Sequence, residues 1–207
     1  MSSALTGTPR QHASDLPIDR PIEGGPSFGF GLRVRRVIWS VVWTCLAAWT
    51  PPQFSSWRIL LLKLFGARVH PGAAIAASVR VWLPRNLELG PRAALGPGVD
   101  CYNMAPIKIG ARSVVSQRAF LCAGTHDISD ERFPLRVRPI VIGDDVWVAS
   151  EAFVGPGVHI GNGCVLGARA CAFEDLNEWT VYRGNPATIV KQRKFQKPAP
   201  STGRPCG

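Results

Sequence analysis

His126 stands in the segment LCAGTHDISDERFPL (residues 121–135), beside Asp127 and four residues after Cys122. An unprotonated imidazole, with a reference pKa near 6.5, can accept a hydroxyl proton at neutral pH, so a histidine at the edge of a projecting loop suits a general base. The plainer alternative is an exposed loop histidine. Cys122 would offer a thiol nucleophile, but four residues of extended chain put it roughly 13 Å away, which favours direct attack over a covalent thiol route. Asp127 points to the opposite face of an extended segment from His126 and reads as a solvated loop carboxylate.

The residues around this segment repeat at steps of six. Apolar side chains fall at Val69, Ile75 and Val81, at Leu89 and Leu95, and at Ile109, Val115 and Leu121. After the interruption come Ile142, Val148, Val154, Ile160 and Leu166, each followed by Gly or Ala. A helix wants a period of 3.6 and a simple strand a period of 2, so a sustained period of six points to stacked solenoid coils with one continuous apolar column. Solenoid walls are flat and offer no cleft. A site must therefore come from a loop, expected at residues 127–139, or from a neighbouring subunit.

At 207 residues the chain fits one domain with extensions, and loose tails are expected at 1–27 and 197–207, where Pro, Ser and Gly collect. A net charge of +10 favours an anionic partner: a phosphorylated cofactor, a membrane surface or nucleic acid. Nucleic acid is disfavoured, since no basic helix, RNA-binding signature or paired-cysteine finger occurs. Six cysteines without a C-x-x-C spacing fit a reduced cytosolic protein. No signal peptide is expected.

Residues 28–66 read as two apolar helices separated by Pro51 and Pro52, the second capped by Ser55 or Ser56 and stopped at Gly66. The run VIWSVVWTCLAAW (37–49) spans about 20 Å as a helix, short of the roughly 30 Å hydrocarbon core, so it should not cross a bilayer. Two partners are open to it. The favoured one is the solenoid, which as a capped column would shield Trp39, Trp43 and Trp49. The other is a membrane interface on the cytoplasmic side, met through Arg33, Arg35 and Arg36.

The motifs GTHD, PIVIGDDVWVAS, AFVGPGVHIGNGCVLGARA and EWTVYRGNPA resemble those of the galactoside and maltose O-acetyltransferases, left-handed β-helix hexapeptide-repeat acyltransferases, and above all their colanic acid biosynthesis acetyltransferase branch. The likeness spans about residues 28–195. It implies an all-β solenoid, a left-handed parallel β-helix over 67–186, with an N-terminal helical segment (28–66) and a C-terminal extension and tail (187–207). It implies a homotrimer with sites between subunits, acetyl-CoA as co-substrate with no resident cofactor or metal, and a sugar or glycan acceptor in surface polysaccharide biosynthesis. Residue by residue, it gives His126 as the base, the Ser150 N–H as oxyanion donor with Trp147 beside it, and Tyr102 and Asn103 as acceptor contacts. Ala168 matches a pantetheine contact, and Lys191 and Arg193 match or replace phosphate contacts. Phe173, Glu174 and Thr188 depart from the Thr, Lys and Arg of relatives, with Arg183 and Lys194 as substitutes.

Other readings remain beside this one. They are an acetyltransferase of a drug or amino sugar, or a non-catalytic scaffold. A zinc enzyme of the gamma carbonic anhydrase kind needs three histidines, and after His70 the repeats hold only His126 and His159. A nucleotidyltransferase would need a Gly-rich phosphate loop ahead of the repeats.

Overall fold

The computed structural model describes residues 28–194; the tails expected at 1–27 and 197–207 lie outside the described residues. Residues 67–183 wind as a three-sided parallel β-solenoid whose walls hold five, seven and five strands. The first wall stacks Arg68–Val69, Leu87–Leu89, Ile107–Ile109, Ile140–Ile142 and His159–Ile160. The second stacks Ala74–Ile75, Ala94–Leu95, Val114–Val115, Trp147–Val148, Val165–Leu166 and Thr180–Arg183, and ends on the antiparallel strand Thr188–Gln192. The third stacks Arg80–Val81, Asp100–Tyr102, Phe120–Cys122, Phe153–Val154 and Cys171–Ala172.

The period of six follows from this geometry. Each two-residue wall strand turns one residue inward, and Val69, Ile75, Val81, Leu89, Leu95, Ile109, Val115, Leu121, Ile142, Val148, Val154, Ile160 and Leu166 are all buried. A small residue follows most of them, as Gly143, Ala149, Gly155, Gly161 and Gly167 do, and makes the corner. At Gly161 a Cβ would lie 2.6 Å from the Glu178 amide nitrogen of the next coil, too close for any side chain. Val141 pairs with both Lys108 and His159, so the register advances by 33 residues across the interrupted coil and by 18 across the regular one that follows.

Two helices close the solenoid at its N-terminal end: α1 (Phe30–Leu46) and α2 (Ser55–Leu64). Trp39, Trp43 and Ala47 of α1 are buried, and the Trp39 indole donates to the Val81 carbonyl at 2.7 Å. Gly66, at φ +93°, ends α2 as expected. The expected capping serine does something else: α2 has no side-chain cap, and the Ser55 hydroxyl accepts from Ile75 N–H at 3.0 Å, tying the helix to the first coil. Trp49 departs from expectation too. It is 72% exposed, because its indole donates to Cys45 O within the helix end rather than packing on the column.

Arg58 fastens the cap. It is 1% exposed and donates to Ile75 O (2.7 Å), Thr50 Oγ1 (2.7 Å), Pro51 O (3.0 Å) and Pro52 O (2.9 Å). No carboxylate is among these partners, and burial lowers the guanidinium pKa. The charge is solvated by carbonyl dipoles of the inter-helix turn and of the first coil. We predict that Arg58→Ala lowers stability by about 3 kcal/mol, because several buried acceptors lose a charged donor together; urea unfolding followed by tryptophan fluorescence measures it.

Candidate functional site

The wall breaks earlier than the spacing predicts. The third wall ends at Ala123, and Gly124–His126 already forms the outgoing strand of an antiparallel hairpin whose return strand is Leu135–Val137. His126 pairs with Leu135 near the outer end, so it stands clear of the wall rather than at its edge. The hairpin is braced by the Asp127–Arg136 ion pair at 3.0 Å and by Asp127 N–H on Pro134 O. Asp127 thus braces the loop instead of remaining a solvated carboxylate.

Phe133 fixes the imidazole, a contact that sequence reading missed. Its ring stacks on His126 with centroids 4.3 Å apart and planes 8° apart, and His126 Nδ1 lies 3.1 Å from the Phe133 carbonyl oxygen. A carbonyl can only accept, so Nδ1 carries the proton and Nε2 is left as the basic nitrogen. Phe133 achieves this at φ +48°, a left-handed conformation that a bulky residue rarely adopts. No periodicity reports such a contact; a positive φ appears only in coordinates.

Cys122 is half-buried, with its thiol on Gly124 O at 3.2 Å. Burial pushes the thiol pKa up, away from a reactive thiolate.

Ser150 lies at the corner between the second and third walls. Its carbonyl accepts from Arg169 N–H, while its own N–H makes no backbone hydrogen bond among the described residues. Ala168 is exposed in the turn stacked directly on it. Trp147, 48% exposed on the second wall, donates to Ser116 Oγ at 2.9 Å, on the same corner one coil earlier. Ser150, Ala168 and Trp147 are therefore brought together. Arg118, Glu151 and Arg169 form a charge ladder along this corner, with Arg118 and Arg169 both pairing to Glu151. Arg183 ends the last strand of the second wall, beside Gly167.

His126 is on the other side of the third wall. The strand Phe153–Val154 starts just after Ser150, and its neighbour Phe120–Cys122 ends just before the hairpin. The two half-sites thus occupy opposite edges of one wall within a single chain.

Two expected residues, Asn103 and Arg193, need correction. Asn103 is completely buried, with its amide accepting from Leu83 N–H at 2.9 Å and donating to Leu83 O at 2.7 Å. Both ends are used to hold a corner, so it presents no amide to an acceptor. Arg193 donates to Asp145 O (2.7 Å) and Gly163 O (2.9 Å), at the corner between the first and second walls, away from Ser150. It staples the C-terminal strand to the solenoid; Arg183, not Arg193, stands beside the Ala168 corner. Tyr102 sits under the hairpin, where a side chain on Gly124 would come 3.6 Å from its ring, inside a row of aromatic side chains. Lys191 is exposed on the terminal strand opposite Val181. Phe173 extends the aromatic row, at 5.6 Å from Phe153.

A parallel solenoid with an excursion carrying a tautomer-fixed histidine, and a second half-site of free N–H and small residues across the wall, defines a hexapeptide-repeat transferase. The bacterial transferase hexapeptide family, with six repeats, matches residues 139–171. The chain is 41% identical over 166 residues to the protein assigned in Escherichia coli K12 as the colanic acid biosynthesis acetyltransferase WcaF, covering 80% of this chain and 91% of that one. It therefore belongs to the hexapeptide-repeat acetyltransferase family, as the motifs implied. The solved galactoside acetyltransferase in complex with coenzyme A superposes with a TM-score of 0.71 at 20% identity, over 82% of this chain and 86% of that one. A hexapeptide-repeat acetyltransferase of Vibrio cholerae complexed with acetyl coenzyme A gives 0.69 at 22%, over 80% and 88%. At these identities the two structures show a shared fold.

Two expected outcomes follow from the hairpin. Phe133→Ala should lower kcat about tenfold with KM for the donor unchanged, since it frees the ring that must be aimed while leaving the other half-site intact. Cys122→Ala should retain turnover within about twofold; steady-state kinetics on both variants separates a positioned base from a thiol intermediate.

Proposed function

We propose that the protein is an acetyl-CoA-dependent O-acetyltransferase acting on a sugar hydroxyl in surface polysaccharide or glycan synthesis. The observation that carries this reading is His126, whose Nδ1 is committed to the Phe133 carbonyl and whose Nε2 is left basic on an exposed hairpin. Family membership and the 41% identity to a colanic acid acetyltransferase support the acceptor class. The complexes of structural neighbours with acetyl coenzyme A and coenzyme A support the donor.

In the proposed reaction, His126 Nε2 takes the proton of the acceptor hydroxyl as its oxygen attacks the thioester carbonyl. The oxyanion accepts a hydrogen bond from Ser150 N–H, which no backbone carbonyl of the described chain consumes. Collapse breaks the C–S bond, and the proton held on His126 passes to the departing thiolate. Trp147 and Ala168 would flank the donor arm. Arg118, Arg169 and Arg183 outnumber Glu151 along that corner and would favour its phosphates, with Lys191 at the end of the wall.

The acting unit is proposed to be a homotrimer. His126 and Ser150 sit on opposite edges of one wall, so a complete site needs the His126 edge of one chain against the Ser150 edge of the next. Three chains closing this way turn their third walls toward a common axis. That wall carries a ladder of half-exposed rings, Trp82, Tyr102, Phe120, Phe153 and Phe173, spaced 5.6 to 6.2 Å apart, which such closure would bury. No membrane crossing enters this reading: among the described residues no helix is long and apolar enough for one.

His126→Ala should reduce turnover roughly 100-fold to 10,000-fold in a thiol-release assay against sugars and nucleotide sugars, with acetyl-CoA binding retained. Ala168→Trp, which blocks the other half-site, should be equally inactive. Mixed assemblies of the two inactive variants should recover activity, because some interfaces then pair an intact histidine edge with an intact donor corner. Normal turnover of His126→Ala overturns the base assignment, and no recovery on mixing overturns the shared site.

A further inference from the structure

The helical cap leaves a second apolar face uncovered. On α1, Trp39, Trp43 and Ala47 face the solenoid, while Phe30, Val34, Val37, Ile38 and Val41 are 38 to 77% exposed. At about 100° per residue these two sets fall on opposite sides of the helix. The expectation that an all-round apolar helix would be sheathed in protein therefore holds for one side only. α2 repeats the arrangement: Trp57, Leu60 and Leu64 recur at three and four residues and are 38, 46 and 71% exposed. The Trp57 indole donates to Leu46 O at 2.8 Å, which sets the α2 row against the end of α1, and Trp49 stands out at the same turn.

Among the described residues, the charged side chains exposed on these two helices have one sign. No Asp or Glu occurs anywhere between Phe28 and Leu87. Arg33 and Arg35 are exposed, and helix geometry sets them on either flank of the outer α1 row; Lys63 is exposed on α2. Arg36, by contrast, is turned inward over the Trp82 ring at 4.1 Å.

We propose that this outer face docks on an anionic bilayer surface, with α1 and α2 lying in the interfacial plane and the solenoid held in the water beside it. α1 has 17 residues, so it is about 25 Å long and cannot span the hydrocarbon core, whereas a helix lying flat sinks only its outer row. Trp49 and Trp57 suit the headgroup level, where indoles are favoured. Flanking arginines meet anionic headgroups at that depth. A second copy of the chain is the poorer occupant: it would bring a face of the same positive sign, with no acidic residue on α1 or α2 of either copy to compensate. The proposal stands apart from the acetyl-transfer reading, because it concerns the opposite end of the solenoid from the Ser150 corner and its test reads binding.

The test is flotation of the full chain with vesicles of phosphatidylcholine alone or mixed with phosphatidylglycerol. The wild-type protein is expected to float with the anionic vesicles, weakly or not at all with neutral ones, and less as salt is raised, with its tryptophan emission shifting to the blue on binding. Val37→Glu with Val41→Glu should weaken binding at least tenfold, and Arg33→Glu with Arg35→Glu roughly tenfold or more. Both positions are solvent-exposed, so unfolding midpoints and sedimentation should match wild type. Failure of the wild type to float, or equal binding to neutral and anionic vesicles, overturns the proposal. It is overturned as well if the Val37→Glu, Val41→Glu protein sediments as a smaller species while vesicle binding is unchanged, since the face would then be a contact between copies.

Discussion

Everything in this molecule depends on one stacking constraint: each coil must present its peptide groups to the next in parallel register while the inward side chains fill a narrow column. Two-residue strands cannot be stable alone, and each gains its hydrogen bonds only because the coil above and below repeats its path. The column admits one apolar side chain per wall, which is why residues such as Ile142, Val148 and Val154 recur at six. A wall so regular is chemically inert. The chain therefore departs from it once, between Ala123 and Arg138, and reseals by Arg138 N–H on Ala123 O, so that the column passes beneath the hairpin without a gap.

The corners are where this regularity is tuned. Their second turn position is left-handed, and Arg92, Arg112, Arg118, Asp145, Glu151 and Arg169 occupy it at φ 56 to 59°, although glycine would do so without strain. Stacking puts these residues in line, and opposite charges pair from coil to coil: Arg112 with Asp145, and Glu151 with Arg169. Each pair is exposed and screened by water, so it adds little to stability. Their use is positional. They set the sign of each edge, and the edge bearing Ser150 and Ala168 has more arginine than glutamate.

The solenoid was legible because its signal is collective: thirteen column residues at steps of six, nine of them followed by Gly or Ala, leave no room for helix or simple sheet. The excursion that carries His126 was legible for the opposite reason, as the stretch where that phase is lost, although the wall ends at Ala123 rather than at the histidine. What could not be read depends on pairings across coils. Asn103 looks like an available polar side chain in YN, but the 20-residue register puts it against Leu83, whose peptide takes both ends of the amide. Arg193 looks like a basic residue in a solvated tail, until the return strand Thr188–Gln192 carries it onto the carbonyls of Asp145 and Gly163. Phe133, in a loop with no period at all, gave no sign of its stacking on His126. The aromatic row from Trp82 to Phe173 was hidden because its members are spaced by whole coils of 18, 20 and 33 residues rather than by any short period.

A single chain leaves two apolar surfaces open, and their electrostatic settings separate their partners. Along the third wall acids sit among the arginines: Arg80 is bonded to Asp100, and Glu151 pairs with Arg118 and Arg169 at an edge that stays net positive. In the proposed homotrimer other copies would meet a wall whose positive charge is partly offset, and its rings offer area at little cost in side-chain freedom. Among the described residues neither α1 nor α2 carries an acid to compensate Arg33, Arg35 or Lys63, so the approach of another copy would bring like charges together. An apolar surface with uncompensated positive flanks is better matched by something anionic and fluid than by itself. Buried Arg58 fits the same division of labour, because a cap pinned to Ile75 by a guanidinium can leave its outer rows free to meet that surface without loosening from the column.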